Sequence, residues 1–106
     1  MNMQKLMKEA QKAQQKMQEA QERLANLSVQ GSAGGGLVTA TASGDGAITA
    51  IKIDKGTVDP EDVELLEDLV MAAVNDAQRK AKELQESEMG AAMGGMGGMG
   101  GLGGMF

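Results

Sequence analysis

The segment SVQGSAGGGLVTATASGDGAITAIKID, residues 28–54, decides the fold of this 106-residue chain. It contains three runs of alternating small and β-branched residues, SVQGSA, LVTATAS and AITAIKID. Glycines separate the runs, at residues 34–36 and in the triplet Gly44, Asp45 and Gly46, and glycine accepts the positive φ that tight turns require. The segment therefore predicts a three-stranded antiparallel meander.

The residues before the meander carry the signature of one long helix. Apolar residues recur there at alternating intervals of three and four, among residue types that favour helix. Such a heptad stripe is typical of a helix that lies along another helix. We expect a helix over residues 2–27, with a stripe formed by Met3, Leu6, Ala10, Ala13, Met17, Ala20, Leu24 and Leu27.

A second long helix is predicted over residues 60–88. Asp59 is placed to cap it, and Pro60 suits the first helical position. Glu61 and Asp62 suit the positive end of the helix dipole. The apolar stripe of this helix consists of Val63, Leu66, Val70, Ala73, Ala77, Ala81 and Leu84.

The last residues, 90–106, form the uncharged Gly/Met repeat GAAMGGMGGMGGLGGMF. A repeat of this composition has no helix or strand periodicity, so we expect a flexible tail that follows a single domain over residues 1–89. A soft-metal site built from thioethers and an adhesive adaptor segment are the alternative interpretations of the repeat.

Composition excludes several classes of function. The chain has no cysteine and no histidine, which removes disulfides, thiolate metal sites and the commonest general base. No nucleophile and base pair and no metal-ligand cluster is recognisable, so we expect neither an enzyme nor a cofactor nor a small-molecule substrate. No apolar run reaches the length of a membrane span, and the N-terminus lacks the apolar region of a signal peptide, which predicts a cytosolic protein.

The fold class predicted from these elements is α+β, with a meander between two long helices. Because Phe106 is the only aromatic residue, the core must be small, and self-association is expected. A 26-residue helix spans about 39 Å, whereas a seven-residue strand spans about 24 Å. Both helices should therefore extend beyond the sheet, with the start of the first beside the end of the second as a projecting arm.

Cations gather on the helices although the net charge is −5. On the first helix five of them fall within a sector of about 80°, roughly opposite the apolar stripe. A line of cations about 6 Å apart matches the scale of phosphates along a duplex, but it is also typical of the solvated face of a coiled coil. The candidate DNA-binding residues are Lys5, Lys8, Lys12, Lys16 and Arg23, joined on the second helix by Arg79, Lys80 and Lys82.

Three stretches and the Gly/Met-rich end together resemble the YbaB/EbfC family of bacterial nucleoid-associated proteins. The stretches are MQKLMKEAQKAQQKMQ, GSAGGGLVTATASGDGAITAIKID and VDPEDVELLEDLVMAAVNDAQRKAKEL. The resemblance implies an α-β-β-β-α protomer, a tweezer-like homodimer, binding of double-stranded DNA by the helical arms, no catalysis, and a place in the cytoplasm and nucleoid. This chain departs from the family at Val74, where members often carry Phe.

A second class of function stays open at this point. Coiled-coil holdases and adaptor modules also combine two helices with β-strands, and they hold clients with apolar helix tips. Met1, Met3, Leu6 and Met7 would form such a tip here, because methionine side chains adapt to many partners.

Overall fold

The computed structural model describes residues 2–94 and contains a helix, three strands and a second long helix. The elements are α1 (Met3–Asn26), β1 (Ser28–Ala33), β2 (Val38–Ser43), β3 (Ile48–Ile53) and α2 (Val63–Gly94), with a short 3₁₀ helix at Lys55–Thr57. The predicted α-β-β-β-α order and the α+β class are confirmed, and each strand begins and ends within one residue of its prediction.

The three strands form the predicted antiparallel meander in the order β1-β2-β3. The first hairpin is regular, from Ala33 opposite Val38 to Ser28 opposite Ser43. The second contains a β-bulge, because the register shifts between Thr41 and Ala42. The alternating pattern alone did not predict this bulge, which leaves β3 with one residue more than its partner strand.

Glycine has two different uses in the turns. Gly34, Gly35, Gly36 and Gly46 have positive φ, as the turns require. Gly44, in the same turn as Gly46, has no positive φ. Its lack of a side chain instead allows close approach, because a Cβ there would collide with the backbone of Leu24 at the end of α1.

The core lies between α2 and one face of β1 and β2. At its centre, a Cβ built on Gly31 would come 2.5 Å from the carbonyl oxygen of Ala73 and closer still to the nitrogen of Ala77. The helix backbone therefore rests almost directly on the strand. The buried cluster contains only small side chains and one valine: Val38, Ala40, Ala42, Ala73, Ala77 and Ala81.

The start of α2 differs from its prediction, and the capping residue is Asp62. Its Oδ1 accepts from the N–H of Leu65 at 3.3 Å, and the helix begins at Val63. The prediction that Asp59 caps the helix with Pro60 in its first position is wrong, because those residues form a turn closed by the N–H of Asp62 on the carbonyl of Asp59. Asp followed by Pro is also the preferred start of a type I turn.

The end of α2 also differs from its prediction, because the helix continues to Gly94 rather than stopping at residue 88. Glu86, Met89, Ala91 and Ala92 are good helix formers and extend it. Residues 95–106, most of the segment predicted as a flexible tail, lie outside the described residues.

The last third of α1 packs most closely against the rest of the protein. Ala20 and Leu24 are buried, and the Nε of Arg23 contacts Glu88 of α2 at 3.1 Å. By contrast, residues 2–12 are all exposed. The first half of α1 therefore projects, as the helix lengths predicted, and the molecule measures 71 × 28 × 16 Å.

Candidate nucleic-acid interface

Four lysines line the projecting half of α1. The helix begins with Asn2, whose side chain accepts from the N–H of Gln4 at 3.0 Å. All four lysines are exposed, and none of the ion pairs of residues 2–94 involves them. Steps of three and four residues correspond to about 4.5–6 Å along the helix. This cationic line, as we call it, consists of Lys5, Lys8, Lys12 and Lys16.

Arg23 continues the cationic line in sequence but not in environment. Its guanidinium is held by Glu88 of α2 across the helix pair. An ion pair with both partners near the surface contributes little stability, but it orients the side chain along α2. Arg23 therefore has a partner within the chain, unlike the four lysines that precede it.

Arg79 and Lys80 lie beside β1. Arg79 contacts Asp76 at 2.8 Å and Glu83 at 2.6 Å. Lys80 lies 3.4 Å from Asp76 and donates to the carbonyl oxygen of Gln30 at 3.1 Å. Lys80 thereby fastens α2 to the edge of the sheet, whereas the contacts of Arg79 stay within α2.

Asp76 is the centre of this fastening. Its Oδ2 accepts the N–H of Ser32 at 3.0 Å. This hydrogen bond, supported by the guanidinium of Arg79 and the ammonium of Lys80, lowers the pKa of Asp76 to about 2. We call the contacts of Asp76 and Lys80 with Ser32 and Gln30 the β1 clip.

The cations of α2, Arg79, Lys80 and Lys82, do not lie beside the cationic line of α1. The Arg23 to Glu88 contact sets the register of the two antiparallel helices, and Lys16 and Lys80 lie on opposite sides of that level. Seven residues along α1 and eight along α2 separate them by about 22 Å parallel to the helix axes. Lys82 is exposed on α2 at the same distant level. The expected sharing of one arm by both groups is therefore not found.

The β1 clip was not anticipated from the sequence. Two of its four partners are main-chain groups of a strand, and Lys80 lies 50 residues from Gln30 in sequence. The only available signal was the spacing of Asp76, Arg79 and Lys80, which allows ion pairs one helical turn apart. That spacing gave no indication of the strand edge.

Other chemistry has little support in residues 2–94. This part of the chain contains no group of three or more Asp or Glu side chains arranged to hold a metal ion. Neither of its two long helices is apolar enough over a sufficient length to cross a membrane. What the arrangement offers is a projecting helix with a line of free ammonium groups, which suits contact with a polyanion.

Comparison with protein-family models finds a family that binds nucleic acid. The family model described as the YbaB/EbfC DNA-binding family matches residues 1–96. The chain belongs to the YbaB/EbfC family. The match covers both helices and the whole meander, and the resemblance inferred from the sequence is thereby confirmed.

Bacterial relatives of this YbaB/EbfC protein are named nucleoid-associated proteins. One from Saccharopolyspora erythraea is 54% identical over 93 residues, which cover 88% of this chain and 80% of the relative. One from Pelotomaculum thermopropionicum is 46% identical over 93 residues, which cover 88% of this chain and 89% of the relative.

The fold has a counterpart among solved structures. The crystal structure of an uncharacterized protein from Helicobacter pylori superimposes with a TM-score of 0.71, covering 82% of this chain and 91% of the other. Sequence identity is 22%, so this similarity supports the YbaB/EbfC fold and no particular site.

Proposed function

We propose that this protein binds double-stranded DNA as a homodimer and contacts the phosphates through the cationic line of α1. The observation that carries the proposal is the set of four exposed, unpaired lysines on a helix that projects from the core. Phosphate contacts of this kind carry no sequence preference. Such a protein would serve at the nucleoid, in DNA organisation, gene regulation or DNA protection.

The distribution of charge removes the apparent conflict with an acidic chain. Residues 2–17 contain four lysines and one glutamate, a local charge of +3. The stretch 59–68 carries six acidic residues and no basic one, and it lies at the start of α2. Exposed charges further apart than a Debye length of about 8 Å are largely screened at physiological salt. The arm therefore presents a local positive charge to DNA.

A groove beside β3 supports the homodimer. Ile51 is paired with Ala40, so it belongs to the buried face of the sheet, yet 45% of its surface is exposed. The reason is that α2 lies across β1 and β2 and barely touches β3. An apolar strip is thus left open where a second copy would cover it.

The other wall of this groove is the flank of α2 that faces away from β1. Asp76 and Lys80 point to the β1 edge, so Val74, about 160° from Asp76 around the helix, points toward β3. Val74 and Val70 are only partly buried, and Met71 is 58% exposed. A twofold contact across this groove would bury apolar side chains of both copies.

The test is a titration of a labelled duplex of about 30 base pairs at several salt concentrations. The test variant replaces Lys5, Lys8, Lys12 and Lys16 with Gln. A control replaces three lysines that lie off the arm, Lys52, Lys55 and Lys82, with Gln. Each phosphate neutralised contributes about 0.9 to the negative slope of log K against log salt. We expect the test variant to lose about 3 to 4 of this slope per protomer and the control to lose little.

Equal slopes for the test variant and the control would contradict DNA binding through the cationic line. Circular dichroism and sedimentation are used to check that both variants stay folded and dimeric, so that a lost slope reports on contacts alone.

A second candidate function rests on the tip of the arm. Met3, Leu6 and Met7 are 72%, 44% and 61% exposed, as the adaptor or holdase interpretation requires. Suppression of the aggregation of a denatured client, without salt-dependent binding to the duplex, would favour this second function.

A further inference from the structure

The apolar stripe of α1 continues beyond the point where α2 covers it. Ala20 and Leu24 are buried, whereas Met3 and Leu6 on the same helix face are exposed. The Arg23 to Glu88 contact fixes the register of the two helices. Six residues beyond Glu88 lead to Gly94, the last residue of α2, and six residues before Arg23 lead to Met17. At this level Met17 and Ala13 are half-buried, and the stripe before them, formed by Met3, Leu6 and Ala10, is exposed.

This free part of the stripe is self-complementary in the antiparallel direction. In heptad terms Met3, Ala10 and Met17 occupy a positions, and Leu6 and Ala13 occupy d positions. Antiparallel helices pair an a residue with a d residue. A second α1 laid against the first so that facing residue numbers sum to 23 places Leu6 opposite Met17 and Ala10 opposite Ala13. Alanines at the centre let the two backbones approach closely.

The charges beside the stripe match in the same register. Glu9 and Lys16 occupy g positions, and in an antiparallel pair g residues face each other across the interface. Glu9 of each copy would then face Lys16 of the other, which gives two ion pairs by symmetry. Arg23, one heptad after Lys16 on the same flank, already makes this kind of contact with Glu88 of α2.

The length of the contact is limited by α2. In this register Met3 of the second copy would reach the level of Ala20, which is already buried. The contact therefore covers Leu6 to Met17, where Ala13 and Met17 keep exposed surface and the residues before them are exposed. Such a short helix pair is weak by itself and suits reversible association.

We propose that α1 of one molecule pairs antiparallel with α1 of a second copy over Leu6–Met17, at a site distinct from the groove beside β3. The pairing needs no DNA and goes beyond the function proposed above. Lys5, Lys8 and Lys12 lie on the face of α1 away from the stripe and stay accessible. Where that proposed function holds as well, paired arms join dimers that carry DNA, so two duplexes are bridged.

Disulfide trapping tests the register, since the chain contains no cysteine. Full-length Ala10→Cys and Ala13→Cys are oxidised separately and as a mixture, without DNA, and the products are identified by mass. We expect the mixed disulfide to exceed either symmetric product about tenfold. The matched control mixes Lys8→Cys with Gln15→Cys, whose numbers also sum to 23 but whose side chains lie on the outer face, and it should give only background.

A charge exchange tests the same contact without cysteine. Glu9→Lys and Lys16→Glu each replace two attractive pairs by two repulsive ones, so each should raise the dissociation constant of the higher assembly about tenfold. The double variant restores opposite charges at both contacts and should recover the original constant. Sedimentation velocity of the full chain without DNA measures all four proteins.

Symmetric disulfides from each single variant would indicate parallel helices and overturn the proposal. Failure of the double variant to recover association would also overturn it, as would cross-linking equal to the outer-face control. Because no DNA is present, these results are independent of the slope experiment. Loss of DNA binding on replacement of Lys5, Lys8 and Lys12 would not affect the pairing, because these three lysines lie outside the contact. Loss of pairing would leave the part of the slope that is due to the same three lysines.

Discussion

The side chain of Asp76 accepts the main-chain N–H of Ser32 at 3.0 Å, so a residue of α2 occupies a hydrogen-bonding position on the edge of β1. Lys80, one turn later, donates to the carbonyl oxygen of Gln30 at 3.1 Å. Edge strands normally leave such groups free for another strand. The β1 clip closes this edge with side chains of the protein's own helix.

The clip makes stability depend on pH in the acid range. The pKa of Asp76 is lowered to about 2, so its contribution is fully present above the unfolded value near 3.8 and is lost as the pH falls toward 2. Asp76→Asn should lower Tm by a few degrees at neutral pH and flatten the acid limb of a plot of Tm against pH. Glu83→Gln, which removes only an exposed ion pair of Arg79, serves as control. An unchanged acid limb in Asp76→Asn would contradict the role of the clip.

Gly31→Ala should destabilise the fold strongly. The added methyl group would overlap the backbone of α2 at Ala73 and Ala77, and the helix would have to move off the sheet. We expect a loss of about 3 kcal/mol in the free energy of unfolding, measured by urea denaturation. The matched control is Gly90→Ala within α2, where no atom other than those of its chain neighbours and the helix's own backbone lies within 4 Å of the new Cβ. It should stabilise the helix by about 0.5–1 kcal/mol, so the two substitutions differ in sign.

Val74→Phe should tighten the homodimer. The larger side chain adds apolar area to the groove beside β3, which is worth about 1 kcal/mol, and twofold symmetry applies it twice. We expect the dimer dissociation constant, from sedimentation equilibrium, to fall about tenfold or more. Ile51→Asp in the opposite wall should give monomers. If both variants have the oligomeric state of the parent chain, the second copy binds elsewhere.

Arg79→Gln should separate stability from DNA affinity. Its guanidinium bridges Asp76 and Glu83 on the surface of α2, far from the cationic line. We expect a lower Tm with a salt slope of DNA binding close to that of the parent chain. Lys12→Gln should do the reverse, reducing the slope by about 0.9 per protomer with Tm unchanged. A reduced slope in Arg79→Gln would return this residue to the DNA interface.

The strands and the existence of both helices were predictable, because periods of two and of about three and a half residues are local properties of the sequence. The start of α2 was not, since Asp59 and Asp62 are both good caps and the turn through Pro60 decides between them. The cationic line was also readable, because its spacing is helical. The partners of Lys80 could not be predicted, because every residue has a main-chain oxygen and the sequence pattern does not indicate which one lies near Lys80.

The mounting of α1 gives the arm the mechanics of a lever. The helix is held at its last turns, where Leu24 rests on the backbone at Gly44, and about 26 Å of it extends from Ala20 to Met3. A rotation of about 10° at this pivot would carry the tip through about 4–5 Å, close to the spacing between successive lysines. A small rocking at one glycine contact is therefore enough to shift the arm by one phosphate, with every strand left in place.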